Sequence, residues 1–204
     1  DELKAEGFDY VFVSIGADKS NDPGVTGNGR RESAISFLYR AKHGEDIDLG
    51  KDVVVIGGGN TAMDAARMAK RIKGVENVTI IYRRSMSEMP ADREEYIMAK
   101  NDGIKFVFLA NPADLTDGIM TVKEMELGEK DASGRRRPVD TGRTFKLDCS
   151  YIISAIGEKA DPAVLKALGA DEEKANVFVI GDTKTGPSTV VRCIASARDA
   201  VDKA

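Results

Sequence analysis

Three consecutive glycines, Gly57 to Gly59, form the part of this 204-residue sequence whose spacing is best suited to chemistry. They stand as Gly57-x-Gly59-x-x-Ala62, which matches the G-x-G-x-x-G/A pattern of dinucleotide-binding turns. In that pattern the first glycine makes a tight turn and the second lets a pyrophosphate approach the backbone. The small third residue lets a helix pack closely on the preceding strand. The free N–H groups at the start of that helix bind phosphate. The spacing therefore predicts a pyrophosphate site at this turn.

The segments around the glycines supply the elements that such a turn requires. Val53 to Ile56 is a β-branched run and predicts a buried parallel strand. The apolar spacing from Asn60 to Lys73 predicts a helix, and Gly74 is a suitable residue to end it. Val78 to Tyr82 predicts the next strand. A glycine-rich turn without any nucleotide is the alternative, but the strand, helix and strand in the expected order favour nucleotide binding.

Two arginines, Arg83 and Arg84, stand at the end of the second strand, where the choice between NAD and NADP is usually made. An acidic residue there would bind the ribose 2′-hydroxyl of NAD, and none is present. Guanidinium groups instead fit a 2′-phosphate, because they are permanently charged and bidentate. We therefore predict NADP(H) as the cofactor. A pair of solvated surface arginines is the alternative, and the sequence does not say which arginine matters more.

The composition excludes several other classes of protein. The net charge of −4 indicates neither nucleic acid nor an anionic membrane as a partner, and no apolar run is long enough to span a bilayer. Cys149 and Cys193 lie far apart in apolar segments, so we expect buried thiols and a cytoplasmic location. His43 is the one histidine and lies in a polar segment, which makes a zinc site improbable.

The rest of the chain is predicted to form further strands. Ile104 to Leu109, Met120 to Leu127 and Thr144 to Leu147 predict an antiparallel meander. Two similar strands, Tyr10 to Ile15 and Tyr151 to Ile156, end at glycines and bracket the nucleotide unit. We interpret them as paired crossings of the chain between two domains.

Two smaller patterns have more than one interpretation. Val177 to Ile180 predicts a strand followed by Gly181 and Asp182, which is either an ordinary turn or a flavin-contacting turn. Tyr96 and Lys100 have the Tyr-x-x-x-Lys spacing of short-chain dehydrogenases, although they lie too near the glycine turn for that class. We interpret this second spacing as chance.

Taken together, these segments resemble the flavin-dependent pyridine-nucleotide reductases that contain two dinucleotide folds. The sequence is most similar to the small (β) subunit of NADPH-dependent glutamate synthase and its relatives. The resemblance covers essentially the whole chain, and it is carried by VVVIGGGNTAMDAAR (53–67), VTIIYRR (78–84), EMPADREE (88–95) and VFVIGD (177–182).

The resemblance implies that NADPH gives a hydride to FAD, and that the electrons pass through iron–sulfur clusters to a partner subunit or domain. By position it implies a role in holding the NADPH pyrophosphate for Gly57, Gly58, Gly59, Asn60, Thr61 and Ala62. It implies that Arg83 and Arg84 bind the 2′-phosphate. The nicotinamide half would lie beside Ala155, Ile156 and Gly157, and FAD would contact Gly181, Asp182, Thr189 and Val190.

The predicted fold is α/β, with a Rossmann-like three-layer NADP(H)-binding domain and a β-meander at residues 49–150. Residues 1–48 and 151–204 are expected to form part of a second Rossmann-like unit that binds FAD. The family's FAD glycine turn, its cysteine-rich iron–sulfur region and its redox cysteine pair are missing from these residues. We therefore expect a piece of a longer protein that is inactive alone, performs no thiol chemistry and forms a homodimer through bare apolar surface.

Three other functions are kept as alternatives. A non-catalytic NADP-binding or sensing module would bind NADPH without any flavin. A flavin-free dehydrogenase would use Tyr96 and Lys100 as its acid–base pair. A structural protein without a ligand is the weakest of the three, because it leaves the glycine spacing unexplained.

Overall fold

A computed structural model gives the fold and describes residues 5–131, 134–170 and 175–204. The chain divides into two compact units. The larger is Asp22–Ile156, and the smaller combines Asp1–Asn21 with Gly157–Ala204. The chain therefore passes from one unit to the other after Asn21 and again after Ile156.

A parallel sheet forms the centre of the larger unit. Among the described residues it has five strands in the order β3-β10-β4-β5-β6. The strands are β3 (Arg30–Ser33), β4 (Asp52–Ile56), β5 (Asn77–Tyr82), β6 (Lys105–Phe108) and β10 (Tyr151–Ser154). The apolar runs of β4 and β5 are buried on both faces, which is what a covered parallel sheet requires.

Helices cover one face of this sheet. They are α1 (Ala34–Lys42), α2 (Asn60–Ala69) and α3 (Arg93–Asn101). Helix α2 buries Ala62, Met63, Ala65, Ala66 and Ala69, and they share a core with Val53, Val55 and Ile80 of the sheet. Small side chains on this helix let its backbone approach the strands, as the sequence predicted.

An antiparallel sheet covers the other face. Its strands, in the order β7-β8-β9, are β7 (Ala110–Thr116), β8 (Ile119–Lys130) and β9 (Arg136–Asp148). Leu115 and Met120 of this sheet form a second core with Val54, Ile56 and Ile81 of the parallel sheet. The predicted α/β fold with three layers and a β-meander is therefore confirmed.

Several predicted elements differ from the structure. The segment Ile104 to Leu109 was expected in the meander, but its strand β6 pairs in parallel with β5. The chain changes sheets at Leu109, whose φ is 53°, and the strand that follows was not predicted. Pro112 lies within that strand, and proline is a signal against a strand. Helix α2 also ends at Ala69, four residues before the predicted end at Lys73.

The observed units have different bounds from the predicted domains 49–150 and 1–48 with 151–204. Residues 22–48 and 151–156 belong to the larger unit. The reason is strand pairing, because β10 lies between β3 and β4 in the parallel sheet. Arg30 and Glu32 consequently belong to strand β3 of the larger unit.

The smaller unit has two short strand pairs. Strand β1 (Val11–Val13) pairs in parallel with β12 (Val177–Val179), and β2 (Lys19–Ser20) pairs antiparallel with β11 (Glu158–Lys159). Its described helices are α4 (Pro162–Ala167), α5 (Asp182–Thr185) and α6 (Val190–Val201). Across the described parts of both units, no helix is long and apolar enough to cross a bilayer.

Candidate nucleotide-binding site

The three glycines of the turn after β4 have three different surroundings. Gly57 has φ of +147°, and a Cβ there would collide with the carbonyl oxygen of Ala155. A Cβ on Gly58 would lie 2.7 Å from the ring of Tyr82. A Cβ on Gly59 would have no atom within 4 Å. The first two glycines are thus required by protein packing, whereas the third faces open space that a ligand can fill.

Helix α2 begins directly after this open space. Gly59 is its N-cap residue, with extended backbone angles and no side chain to cap the helix. The backbone N–H groups of Asn60 and Thr61 donate to no residue that the structure describes. Ala62 is fully buried and packs the helix on the sheet. Free N–H groups beside an open glycine form the arrangement that binds phosphate at helix starts.

The segment that follows β5 folds back onto the glycine turn. The N–H of Ala91 donates to the carbonyl oxygen of Gly58 at 3.0 Å. Asn60 and Asp92 exchange two hydrogen bonds, because Asn60 Nδ2 donates to Asp92 Oδ2 at 2.7 Å and Asp92 N donates to Asn60 Oδ1 at 2.8 Å. The Tyr82 hydroxyl donates to the carbonyl oxygen of Glu88 at 2.9 Å. One side of the turn is therefore closed by protein.

The two arginines at the end of β5 have opposite environments. Arg83 is exposed and makes no hydrogen bond or ion pair within the described ranges. The Arg84 side chain is 6% exposed, and its Nη2 lies 2.9 Å from Asp131 Oδ2. Its Nε donates to the carbonyl oxygen of Arg136 at 2.8 Å. The predicted 2′-phosphate role for both arginines is thus available to Arg83, while Arg84 is already engaged by protein groups.

The residues predicted beside the nicotinamide divide between the units. Ala155 belongs to the larger unit, where its N–H donates to the Ile56 carbonyl oxygen at 2.7 Å and its own carbonyl lies against Gly57. Ile156 is 38% exposed at the end of the same unit. Gly157 begins the second segment of the smaller unit, and its carbonyl accepts from the N–H and the side chain of Asn21. The structure therefore brings Ala155 to the glycine turn.

The residues predicted to contact FAD lie together in the smaller unit. Gly181 has φ of +61°, and its N–H donates to Ser196 Oγ at 3.1 Å. Asp182 Oδ1 accepts from Cys193 Sγ at 3.2 Å, while Oδ2 has no partner in the described residues. Thr189 is the N-cap of α6. Val190 is 75% exposed, so it presents apolar surface at the start of that helix.

Other candidate residues have structural surroundings. The Tyr96 ring packs on Phe106 with centroids 4.8 Å apart, and no side-chain hydrogen bond joins Tyr96 to Lys100. Cys149 is buried, which raises the pKa of its thiol to about 12, and it forms no disulfide with Cys193. In the ranges that the structure describes, no cluster of His, Cys, Asp and Glu could hold a metal ion.

Sequence reasoning missed the residues that support the turn. Asp92 precedes a helix, which is the usual signal for an N-cap, yet its side chain makes no cap hydrogen bond and binds Asn60 instead. Tyr82 was predicted only as the end of a strand, although its ring excludes a side chain at Gly58. The pairing of Arg84 with Asp131 has no local signal, because 47 residues separate them.

Known proteins are similar to this chain in sequence. YgfK of Escherichia coli (strain K12), an oxidoreductase-like protein, is 44% identical over 218 residues, which cover 99% of this chain and 21% of YgfK. The glutamate synthase [NADPH] small chain of Azospirillum brasilense is 31% identical over 231 residues, covering 94% of this chain and 47% of that one. This chain therefore spans about a fifth to a half of the length of these relatives.

A solved structure shows the same fold. FprA from Mycobacterium tuberculosis, in complex with NADPH, superposes with a TM-score of 0.76 at 20% identity, covering 98% of this chain and 64% of FprA. The sequence also matches the family described as pyridine nucleotide-disulphide oxidoreductase over residues 1–197. The chain belongs to the pyridine nucleotide-disulphide oxidoreductase family.

Proposed function

We propose that this chain binds NADPH and is the nucleotide-binding part of a flavoprotein oxidoreductase that passes a hydride from NADPH to FAD. The observation that carries the proposal is the open space at Gly59, at the start of the ten-residue helix α2 and after the strand β4. A phosphate group there would meet the free N–H groups of Asn60 and Thr61. The geometry thus fits a dinucleotide pyrophosphate.

The preference for NADPH would come from Arg83. This guanidinium is exposed and unpaired among the described residues, and Arg83 directly follows β5, the strand next to β4. Hydrogen bonds to charged groups contribute about 1.5–3 kcal/mol, so one arginine on the 2′-phosphate is worth roughly a 10- to 100-fold preference over NADH. Arg84 would contribute by supporting this strand end, since its own guanidinium is held by Asp131.

The chain's own residues would act by position and not as acids or bases. Gly57 and Ala155 would define the surface beside the nicotinamide half, because their backbones are in contact. When bound, FAD supplies the hydride acceptor. Asp182 has one carboxylate oxygen available for a hydroxyl donor, and the start of α6 offers N–H groups. These residues fit one part of a flavin, whereas its pyrophosphate would need a second glycine-rich turn elsewhere in the protein.

The electrons would then pass to a redox partner subunit or domain that contains iron–sulfur clusters. Two observations support a multi-component enzyme. The relative from Azospirillum brasilense is named as a small chain, and this chain spans 47% of it. Helix α6 also exposes Val190, Val191 and Ile194, each more than half accessible. The same surface could form the predicted homodimer, and sedimentation of the chain as a monomer would count against that prediction.

Calorimetric titration with NADPH and with NADH tests the nucleotide proposal. We expect NADPH to bind roughly 10- to 100-fold more tightly, and Arg83→Ala to remove most of that difference. Lys73→Ala is the control, because it removes one exposed positive charge beyond the far end of α2. Equal affinities for the two nucleotides in the wild type would contradict the NADPH proposal. A preference that Arg83→Ala leaves intact would contradict the role of Arg83.

A further inference from the structure

We propose that residues 85–92, here called the bridging loop, position both phosphate sites of the dinucleotide, through Asp92 at the pyrophosphate and Glu88 at the 2′-phosphate. The proposal rests on the proposed NADPH function and assigns two positioning residues to it. Along the chain, the loop leads from the end of β5, beside Arg83, to helix α3. In space, it contacts the glycine turn at the start of α2. It contains the short 3₁₀ helix Met86–Glu88.

The Asp92 end of the loop fixes the orientation of Asn60. The Asp92 N–H needs an acceptor and the Asp92 carboxylate needs a donor, so the Asn60 amide satisfies both only in one orientation. One N–H of Asn60 Nδ2 then remains without a partner among described residues. Because Asn60 is the first residue of α2, this donor adds to the backbone N–H groups at the helix start. Asp92 would thus act on the pyrophosphate through Asn60.

The same end of the loop also holds the glycine turn itself. Ala91 donates to the carbonyl of Gly58 at 3.0 Å, and the Tyr82 ring lies where a Gly58 side chain would be. The Tyr82 hydroxyl donates a hydrogen bond to the carbonyl oxygen of Glu88. The turn therefore has a protein wall on the side of the loop, while the side at Gly59 stays open.

The Glu88 end of the loop is tied to the antiparallel sheet. Glu88 Oε2 accepts from the backbone N–H of Arg136 at 2.9 Å and lies 3.8 Å from Arg84 Nε. The Arg84 side chain also reaches Asp131 and the Arg136 carbonyl, so the residue that follows β8 and the first residue of β9 hold the end of β5. Arg83 directly precedes Arg84, whose side chain these contacts hold in place. Glu88 would thus act on the 2′-phosphate through the position of Arg83.

The two ends of the loop predict two different binding signatures. Asp92→Ala removes the carboxylate that accepts from Asn60 Nδ2, while the backbone N–H of residue 92 can still donate to Asn60 Oδ1. The loss of one of the two hydrogen bonds that orient Asn60 should weaken NADPH and NADH alike, by about 3- to 10-fold each. Glu88→Ala releases the strand end at Arg83, so it should weaken NADPH by about 3- to 10-fold and leave NADH unchanged. A general loss of structure would not separate the two nucleotides in this way.

Titration of the 204-residue chain and its variants with NADPH and NADH measures both signatures. Asp92→Asn keeps an oxygen acceptor for Asn60 Nδ2 and should restore binding to within about twofold. Glu94→Ala is the matched control, because Glu94 is an exposed acid in the first turn of α3 whose side chain makes no hydrogen bond to the described residues. Urea unfolding of each variant identifies any that are not folded, and Asn60→Ala then replaces Asp92→Ala with the same expected signature.

The outcomes separate this inference from the proposed function. If the wild type binds neither nucleotide, or both equally, the proposed NADPH function fails and the inference fails with it. If the wild type prefers NADPH but Asp92→Ala leaves both affinities unchanged, or Glu88→Ala weakens NADPH and NADH equally or not at all, only the positioning inference is overturned. Equal weakening of both nucleotides by Asp92→Ala and weakening of NADPH alone by Glu88→Ala, with Glu94→Ala at the wild-type values, support it.

Discussion

Nη2 of Arg84 lies 2.9 Å from Oδ2 of Asp131, and this ion pair joins the end of the parallel sheet to the antiparallel sheet across 47 residues of sequence. The arginine side chain is 6% exposed and the aspartate side chain 25%. A cation in that position has lost most of its water, so its protein partners must compensate. Arg83, the preceding residue, is exposed to solvent.

Arg84→Met is therefore expected to lower the free energy of unfolding by about 2 kcal/mol, since it removes the cation but leaves the Asp131 carboxylate half-buried. Arg83→Met removes the same charge from an exposed site and should change stability by less than about 0.5 kcal/mol. Urea denaturation of both variants measures the difference. Equal stabilities would show that the ion pair contributes nothing beyond a surface charge.

This pair also shows where prediction from the sequence ends. The glycine turn, helix α2 and the arginine pair were predicted, because their signals are local and lie within about 30 residues of one another. The different environments of Arg83 and Arg84 depend on Asp131 and Glu88, and no spacing rule relates those residues to a strand end. The hydrogen bonds between Asp92 and Asn60 were not predicted either, because an aspartate before a helix indicates an N-cap and not a partner 32 residues away.

The compact units differ in their bounds from the predicted domains because strand pairing is not local. β10 enters the sheet between β3 and β4, although it follows β4 by almost one hundred residues in the chain. A reader of the sequence sees only two similar apolar strands. The register Ile153↔Val55 places β10 in the core of the larger unit, and the predicted domain border at residue 150 therefore falls inside it.

The glycine turn gives a second prediction, from the contrast between Gly57 and Gly59. Gly57→Ala should destabilise the protein by about 3 kcal/mol, because its φ of +147° disfavours a side chain and the added Cβ collides with Ala155. Gly59→Ala should cost less than about 1 kcal/mol, because its φ is −96° and its surroundings are open.

Nucleotide titration completes the comparison at Gly59. If the open space receives the pyrophosphate, Gly59→Ala should abolish NADPH binding although the chain stays folded. Thermal unfolding and calorimetry on the same samples report the two properties separately. Wild-type affinity in Gly59→Ala would show that the phosphates bind elsewhere.

A third prediction concerns stability at acid pH. Arg67 Nε donates to Asp102 Oδ2 at 2.8 Å, and this hydrogen bond, more than the nearby charge of Arg71, lowers the pKa of Asp102 in the folded state. A lowered folded-state pKa means that the carboxylate stabilises the fold above its unfolded pKa, and that this stabilisation is lost as the pH falls through the folded value.

Asp102→Asn should therefore be less stable than the wild type at about pH 7, and the two should converge as the pH falls from there through the lowered folded-state pKa of Asp102. Urea midpoints across this pH range measure the convergence. Asp46→Asn is the control, because Asp46 is exposed and makes no hydrogen bond among the described residues. A constant difference between wild type and Asp102→Asn at all pH values would contradict the ionic explanation.

The last prediction concerns the two thiols. Burial raises the pKa of Cys149 to about 12, so its thiolate fraction at about pH 8 is about three orders of magnitude below that of a free cysteine. The thiol of Cys193 donates to Asp182 at 3.2 Å, and this hydrogen bond is the larger cause, and partial burial the smaller one, of a raised pKa at Cys193.

Iodoacetamide should therefore modify Cys193 slowly and Cys149 only after unfolding, and mass spectrometry measures both reactions. Asp182→Asn removes the carboxylate and should accelerate modification at Cys193 while Cys149 stays protected. An unchanged rate at Cys193 would show that Asp182 does not control this thiol.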